Sequence, residues 1–195
     1  MYFKTLLARN CSDNAIDPGK CLRTNLMVDF TRIINWIKKI GVKKMSVKAI
    51  PEGYEGITPY LICRNAEAAM DFYKRAFGAV ELYRIGGGGM IGHAEMRIGS
   101  AIFMLADEFP PMANSPETIG GSPVSLYIYV EDVDSFTEKA IAEGLEVLKP
   151  VADQFYGDRS GHFRDPFGHL WGFATHKEDL TPEQLQERAA AGHEG

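Results

Sequence analysis

The chain has 195 residues, of which 45% are apolar, and this suits one domain of ordinary size with or without an appendage. Its formal net charge of −5 is uneven, because residues 1–44 carry +6 and the remainder carries −11. An acidic main body lacks the basic footprint that phosphate binding requires, so we expect no nucleic acid partner. No apolar run approaches the roughly 18 residues of a membrane span, so we expect none.

Residues 1–44 form a basic leader whose composition differs from that of the rest of the chain. Apolar residues recur at helical spacing over 26–40, and Gly41 follows, so we predict a helix there. Its apolar stripe needs a partner in its own domain, in another subunit or at a membrane surface. Alternatively the leader is disordered, or it is not natively translated, since Met45 is a second possible start.

From Ile57 the pattern becomes regular and predicts a strand, a helix and three further strands. These elements span 57–64, 66–77, 80–85, 90–98 and 101–106. In the strand over 90–98, alternation places His93 and Glu95 on one face and Ala94 and Met96 on the other. We expect the apolar face to meet the helix and the polar face to line a cleft or face solvent.

The same order of elements recurs in the second half of the chain. A strand, a helix and a strand are predicted over 125–130, 134–143 and 145–149, and residues 156–176 supply a final hairpin that turns at 165–168. Residues 60–82 align with 126–148 at an offset of 66, and residues 92–106 align with 161–175 at an offset of 69. We therefore predict an α+β fold in which two tandem βαβββ units, 56–106 and 123–177, form a curved eight-stranded mixed sheet with helices outside and a concave cleft.

A concave surface that combines aromatic rings with a few polar groups is typical of a small-molecule site. His93 and Glu95 are candidate acid–base residues. The other candidates for the pocket are Tyr127, Tyr129, Tyr156, Arg159, His162, Phe163, Arg164 and Trp171. For Arg159 two interpretations stay open, a clamp over the cleft or a structural ion pair with Asp158 or Asp165.

The paired βαβββ pattern, the AMDFYKRAFGA helix and the GDRSGHFRDPFGHLWGFATH ending resemble the vicinal oxygen chelate superfamily. That superfamily includes glyoxalase I, extradiol dioxygenases, fosfomycin resistance enzymes and bleomycin-binding proteins. The PhnB-like glyoxalase/bleomycin-resistance branch is the most similar, and the resemblance covers residues 56–177. It implies the fold and a homodimer, but not one reaction, because the superfamily hosts unrelated functions.

Metal-using members of that superfamily place their ligands on the first and last strands of each unit. Here the corresponding positions fall near Pro59, Phe103, Ser125 and Gly172, none of which is a usual ligand for a divalent metal. We therefore expect no metal at the usual positions and assign no cofactor. A divalent metal site built from His93, Glu95 and His162 stays open as an alternative.

Two functions follow from the resemblance and the candidate residues. The first is a binding protein of the glyoxalase/bleomycin-resistance type, which holds a flat or cationic small molecule in the cleft without the four-ligand metal site. The alternative is a glyoxalase-like lyase or a dioxygenase-type oxygenase that uses the atypical metal site.

The remaining sequence features concern the cellular compartment and the C-terminal tail. Cys11, Cys21 and Cys63 show no paired spacing, so we interpret them as reduced thiols and expect a cytoplasmic protein. Residues 178–195 are polar, and Thr181 followed by Pro182 predicts the start of a short terminal helix.

Overall fold

The computed structural model describes residues 47–191, so the predictions for the leader and its helix lie outside the described residues. Eight strands and four helices follow one another in this part of the chain. Their bounds are β1 Tyr60–Cys63, α1 Ala66–Phe77, β2 Val80–Gly87, β3 Met90–Ile98, β4 Ala101–Asp107, α2 Pro116–Ile119, β5 Ser125–Tyr129, α3 Val133–Ala142, β6 Glu146–Asp153, β7 Asp158–Arg164, β8 Leu170–His176 and α4 Pro182–Ala191.

The strands form two four-stranded sheets with the same order, β1-β4-β3-β2 in the first repeat and β5-β8-β7-β6 in the second. In each sheet the first strand runs parallel to the last, and the other pairs are antiparallel. This confirms the predicted α+β class with two tandem βαβββ repeats. Strand pairing runs within each repeat, and the two open sheets are consistent with a curved sheet.

Helix α1 has the end signals that its sequence contains. Asn65 caps the first turn by accepting a hydrogen bond from the backbone N–H of Ala68 at 2.9 Å. Gly78 ends the helix in the left-handed conformation, with φ of 66°, which glycine adopts without a steric penalty. Lys74 and Arg75 occupy the last turn, where positive charge suits the helix dipole.

The aromatic residues of both repeats form one shared core. Phe77 on α1 contacts Trp171 and Phe173 of the second sheet, with ring centroids 4.9 and 5.2 Å apart, and it stacks on Phe136 of α3 at 5.9 Å. Because α1 also contacts its own sheet through Tyr73 and Phe103, one helix closes the core of both repeats. We call the sheet face that carries these core residues the helix face and the opposite face of each sheet the open face.

Asp165 joins the two repeats through hydrogen bonds in the buried core. Its Oδ2 accepts from the Tyr73 hydroxyl of α1 at 2.7 Å and from the indole N–H of Trp171 at 2.9 Å. Its Oδ1 accepts from the backbone N–H groups of Phe167 and His169, each at 2.9 Å. The carboxylate is 3% exposed, and these four donors offset the cost of its burial.

The repeat is real, but the predicted offsets do not hold along its whole length. His93 and His162 lie on open faces, as the offset of 69 requires. The strand register gives the last strands a different offset, because Leu105 lies opposite Ala94 and Trp171 lies opposite Phe163. The offset of these last strands is 66. The stretch from Phe163 to its partner Trp171 is three residues shorter than the stretch from Ala94 to its partner Leu105, and this lowers the offset from 69 to 66. Phe103 therefore points to the helix face, and this corrects its assignment to a ligand position.

The C-terminal segment folds back on the second sheet before the last helix. Backbone N–H groups of Lys177 and Glu178 donate to the Gly157 carbonyl, at 2.9 and 3.0 Å. The predicted cap of α4 is present, because Thr181 and Gln184 exchange side chain to backbone hydrogen bonds of 2.9 and 3.3 Å.

Over residues 47–191, no helix has the length and apolar character to cross a membrane.

Candidate functional site

Four side chains form a row across the open face of the first sheet. Glu95 on β3 lies opposite Tyr83 on β2 and opposite Met104 on β4, and Met104 in turn lies opposite Tyr60 on β1. Residues that lie opposite one another in a ladder point to the same face of the sheet, so the alternation that places Glu95 on the open face places the other three there too. We call Tyr60, Tyr83, Glu95 and Met104 the Glu95 row.

Hydrogen bonds connect the Glu95 row to two further residues. The Tyr83 hydroxyl donates to Glu95 Oε1 at 2.8 Å, and the Tyr54 hydroxyl, from the loop before β1, donates to Oε2. His93 Nε2 lies 3.4 Å from Oε1, and His93 Nδ1 lies 2.9 Å from the Tyr60 hydroxyl. Since a carboxylate accepts, His93 donates from Nε2, and Nδ1 of the neutral ring then accepts from Tyr60, which connects Tyr60 to Glu95 through the imidazole.

Glu95 is a buried carboxylate that its neighbours keep ionised. Burial acts to raise its pKa, but the hydrogen bonds from Tyr54, Tyr83 and His93 together outweigh burial, so the pKa is lowered from its ordinary value. The same hydrogen bonds raise the pKa values of the tyrosine hydroxyls. The hydrogen bond to Glu95, together with burial, raises the pKa of Tyr54 to about 12, and the hydrogen bond to Glu95 raises the pKa of Tyr83. The open face of the first sheet thus holds one stable negative charge.

The open face of the second sheet is also rich in tyrosine. Tyr127 and Tyr129 alternate along β5 with ring centroids 5.5 Å apart, as their spacing predicted. The Tyr127 ring lies over Gly172 of β8, where a Cβ atom at position 172 would overlap ring atoms of the tyrosine. The position that corresponds to a metal ligand on β8 therefore holds an aromatic ring from β5.

A second buried carboxylate lies near the end of that sheet. Asp158 is 5% exposed, and it accepts a hydrogen bond of 2.7 Å from the Tyr129 hydroxyl. His176 Nδ1 lies 2.8 Å from the other oxygen of Asp158, and its Nε2 lies 3.0 Å from Asp179. The hydrogen bonds to Asp158 and Asp179 raise the pKa of His176.

The structure keeps some predicted pocket residues on the open face. His162 lies against Tyr127 with ring centroids 6.4 Å apart, and Tyr156 pairs with Ser160 through their hydroxyls at 3.0 Å. Arg164 points to the exposed Glu146, at 3.1 Å.

Three other predicted pocket residues lie on the helix face, which corrects their assignment. Phe163 and Trp171 are each 1% exposed and pack on Phe173 in the core. Neighbouring residues on a strand point to opposite faces, so Phe163 cannot share a face with His162. Arg159 forms ion pairs with Asp134 of α3 and with Asp153, at 2.7 and 3.2 Å, rather than with Asp158 or Asp165 or over the cleft.

The side chains at the usual metal positions do not fit a metal ion. Pro59 and Gly172 offer no ligand atom on a side chain, Phe103 lies in the core, and Ser125 is at most a weak hydroxyl ligand. The alternative set is divided, because His93 and Glu95 are neighbours on the first sheet whereas His162 contacts Tyr127 on the second. In the chain from residue 47 to residue 191, no three His, Cys, Asp or Glu side chains are grouped so that they could hold a metal ion.

Sequence reasoning missed three tyrosines of this site. The sequence placed Tyr60 and Tyr83 on predicted strands of the same repeat as His93 and Glu95. It did not predict the register of these strands, which decides whether the tyrosines lie near Glu95. Tyr54 had none, since a loop residue has no strand alternation to indicate its direction.

Comparison with known proteins is consistent with this architecture. The family model described as the Glyoxalase/Bleomycin resistance protein/Dioxygenase superfamily matches residues 56–173. An uncharacterized protein of Mycobacterium tuberculosis (strain ATCC 25618 / H37Rv) is 35% identical over 144 residues, which cover 71% of this chain and 85% of that protein.

Solved structures give the same result for the fold. The crystal structure of TioX from Micromonospora sp. ML1 is similar, with 28% identity, a TM-score of 0.51, and coverage of 65% of this chain and 99% of TioX. A gene product of Arabidopsis thaliana is also similar, with 26% identity, a TM-score of 0.52, and coverage of 61% of this chain and 97% of its own.

Proposed function

Because the chain belongs to the glyoxalase/bleomycin resistance protein/dioxygenase superfamily, we propose that it binds a small planar organic cation at the Glu95 row and does so without a four-ligand metal site. The observation that carries this proposal is the ionised Glu95 carboxylate, which is 7% exposed and lies beside aromatic rings on an otherwise open sheet face.

In the part of the chain that the structure describes, the ion-pair contact of Glu95 is with a histidine. Over residues 47–191, its ion-pair contacts include His93 but no lysine or arginine. Arg97 points to the same face, but its guanidinium donates to the Gly99 carbonyl at 3.0 Å, at the far end of the hairpin. A negative charge that lies in a partly dry place and lacks a fixed counter-ion favours a cationic ligand.

The aromatic residues of the row supply the surface for a planar group. Tyr60 is 47% exposed and Tyr83 is 44% exposed, and their ring centroids lie 5.5 and 5.7 Å from the His93 ring. A cation over the face of a tyrosine is stabilised by roughly 0.5–1 kcal/mol at exposed sites and by about 2 kcal/mol when it is desolvated. Aromatic rings on either side of one carboxylate thus suit a flat cation better than a neutral or anionic molecule.

The same groups are poorly suited to proton transfer or nucleophilic attack. A carboxylate with a lowered pKa is a weak base near neutral pH. Cys63, a free thiol, is 0% exposed, and burial raises its pKa, so the thiolate is disfavoured. These observations support binding as the function.

A second candidate function is a lyase or oxygenase with an atypical metal site. It rests on the contact between His93 and Glu95, since a carboxylate and an imidazole 3.4 Å apart are two groups of metal-ligand type. Elemental analysis of protein purified without chelator distinguishes the two functions. Stoichiometric metal that is lost in His93→Ala supports the enzyme, and absence of metal from protein that binds a cation supports the binding function.

We also propose that the protein is a homodimer that covers part of its open faces. Apolar side chains on the first sheet remain exposed, among them Ile85 at 63% and Met90 at 53%. Exposed apolar patches of this kind mark interaction surfaces. Light scattering after size-exclusion chromatography gives twice the mass of one chain if this is correct, and Ile85→Lys then shifts the protein toward monomer.

We expect the protein to act in the cytoplasm. The free thiol of Cys63 suits a reducing compartment. Fractionation of cells that produce the full chain tests this expectation.

Isothermal titration calorimetry with N-methylquinolinium, a flat aromatic cation, tests the binding proposal. We expect Glu95→Gln to weaken binding at least about tenfold, because it removes the charge and keeps the shape. Glu138→Gln removes an exposed carboxylate from α3 and serves as the matched control, with affinity unchanged. Equal affinity in Glu95→Gln and wild type would contradict the proposal.

A further inference from the structure

A second cavity, of about 350 Å³, lies beside the edge of the first sheet, and of the Glu95 row only Tyr60 is among its lining residues. Its walls come from β1, from the start of β5 and from the segment between β4 and β5. Most of the lining is apolar and includes Pro59, Leu61, Ile119, Val124, Leu126 and Leu170. Cavities of this size and character are large enough for a drug-like ring system, since an apolar cavity of roughly 150 Å³ already accepts benzene.

A nearly buried imidazole lies in the wall of this cavity. His169 lines it and is 7% exposed. Its Nε2 lies 3.2 Å from the carbonyl oxygen of Ile62, on the edge of β1 that β4 does not cover. A carbonyl can only accept, so Nε2 carries the proton and Nδ1 presents a lone pair.

The Nδ1 atom of His169 has no hydrogen-bond partner among residues 47–191. It is also not sealed within the protein, because every fully buried side-chain nitrogen or oxygen in this part of the chain has a partner. The accessible part of the ring therefore includes Nδ1, on a side chain that lines this cavity. Burial lowers the pKa of His169, which keeps the ring neutral and Nδ1 an acceptor.

The pseudo-symmetric place in the first repeat provides an internal comparison. A cavity of about 310 Å³ lies there, between the segment before β1, the β3–β4 hairpin and β5. With the last-strand offset of 66, its wall carries Phe103 where the other cavity carries His169. A buried acceptor thus distinguishes one cavity from its counterpart.

We infer that this cavity, hereafter the His169 cavity, is a second binding site, and that its ligand is a small neutral aromatic molecule with one hydrogen-bond donor, such as a phenol or an indole. The apolar wall takes the ring, and the donor meets Nδ1 of His169. A neutral ligand suits the site because no charged side chain among residues 47–191 lines the cavity.

The test compares indole with indene, which has a similar shape but no N–H donor, on the full chain. We expect indole to bind about five to ten times more tightly, since one hydrogen bond distinguishes the two compounds. Indole should also displace the ¹⁵N resonance of His169 Nδ1, whereas indene should not. Equal affinity of the two compounds, no saturable binding of indole, or an unmoved Nδ1 resonance would each overturn the inference.

Two variants separate the site from general stability. His169→Phe removes the acceptor and should abolish the preference for indole over indene. His169→Phe also removes the donor to Ile62 and could change stability, so a second variant is needed. Ile119→Trp changes a side chain that is 59% exposed. The larger side chain should fill the cavity and abolish binding of both compounds. Tyr83→Phe, in the Glu95 row, should leave indole binding unchanged, and loss of indole binding there would place the ligand on the open face instead.

Discussion

Tyr83 donates a hydrogen bond of 2.8 Å to Glu95 from the neighbouring strand, directly opposite it in the ladder. The pair fixes a carboxylate at the centre of an open sheet face and leaves the tyrosine ring half exposed beside it. A buried charge and a half-exposed aromatic ring thus lie side by side at one point of the fold.

The charge of Glu95 should persist in mildly acidic solution. Because its folded pKa is lowered below the ordinary value of 4.5, its stabilising contribution is present above 4.5 and is lost as pH falls through the lower folded pKa. Affinity for an aromatic cation should follow the same curve. Carbon-13 NMR of the Glu95 carboxyl measures the midpoint, and a value at or above 4.5 would refute the assignment.

Tyr73→Phe should destabilise the junction of the two repeats. The change removes the donor at 2.7 Å from Asp165 and leaves a buried carboxylate with one fewer partner, at a cost of about 1–3 kcal/mol. Urea unfolding measures the loss. Tyr129→Phe is the matched control, because Tyr129 also donates to a carboxylate but is 59% exposed, so its loss should be smaller. Equal losses in the two variants would argue against a special role for the Asp165 junction.

Gly172→Ala should disturb the open face of the second sheet. The added methyl group overlaps the Tyr127 ring, which then has to move, and overpacking of this kind costs about 1–3 kcal/mol. The double variant Gly172→Ala/Tyr127→Ala should lose less than the sum of the single variants, since the ring and the methyl group compete for one space. Gly56→Ala, where a methyl group meets nothing within 4 Å, is the control. Additive losses in thermal unfolding would show that the two residues do not interfere.

His176 should make the C-terminal segment sensitive to pH. Its folded pKa is raised above 6.5 by Asp158 and Asp179, so its contribution is fully present below 6.5 and is lost as pH rises through the folded pKa. The gap in melting temperature between wild type and His176→Asn should therefore be largest at pH 5.5 and should close in alkaline solution. A gap that stays constant from pH 5.5 to 9 would show that the histidine acts by packing alone.

The sequence predicted much of the architecture because its signals are local. Helix α1 has Asn65 and Gly78 at its ends, and alternation along β3 separates His93 and Glu95 from Ala94 and Met96. Each of these features depends on neighbours within a few residues, which a single sequence contains.

The parts that the sequence did not predict depend on contacts across the fold. The offset of the last strands changes because one hairpin is longer than the other, and this moved Phe103 from the open face to the core. Trp171 was assigned to the pocket for its chemistry, but Asp165 and the aromatic core hold it on the helix face. Tyr54 reaches Glu95 from 41 residues away, and no local pattern indicates such a contact.

The most direct test of the central claim is to compare the binding of N-methylquinolinium with that of 1-methylnaphthalene, a neutral molecule of nearly the same shape. If the Glu95 row selects a planar cation, the wild-type protein should bind N-methylquinolinium at least about tenfold more tightly, and Glu95→Gln should bind the two compounds alike. Equal affinities in the wild-type protein, or a preference for the cation that persists in Glu95→Gln, would contradict the account.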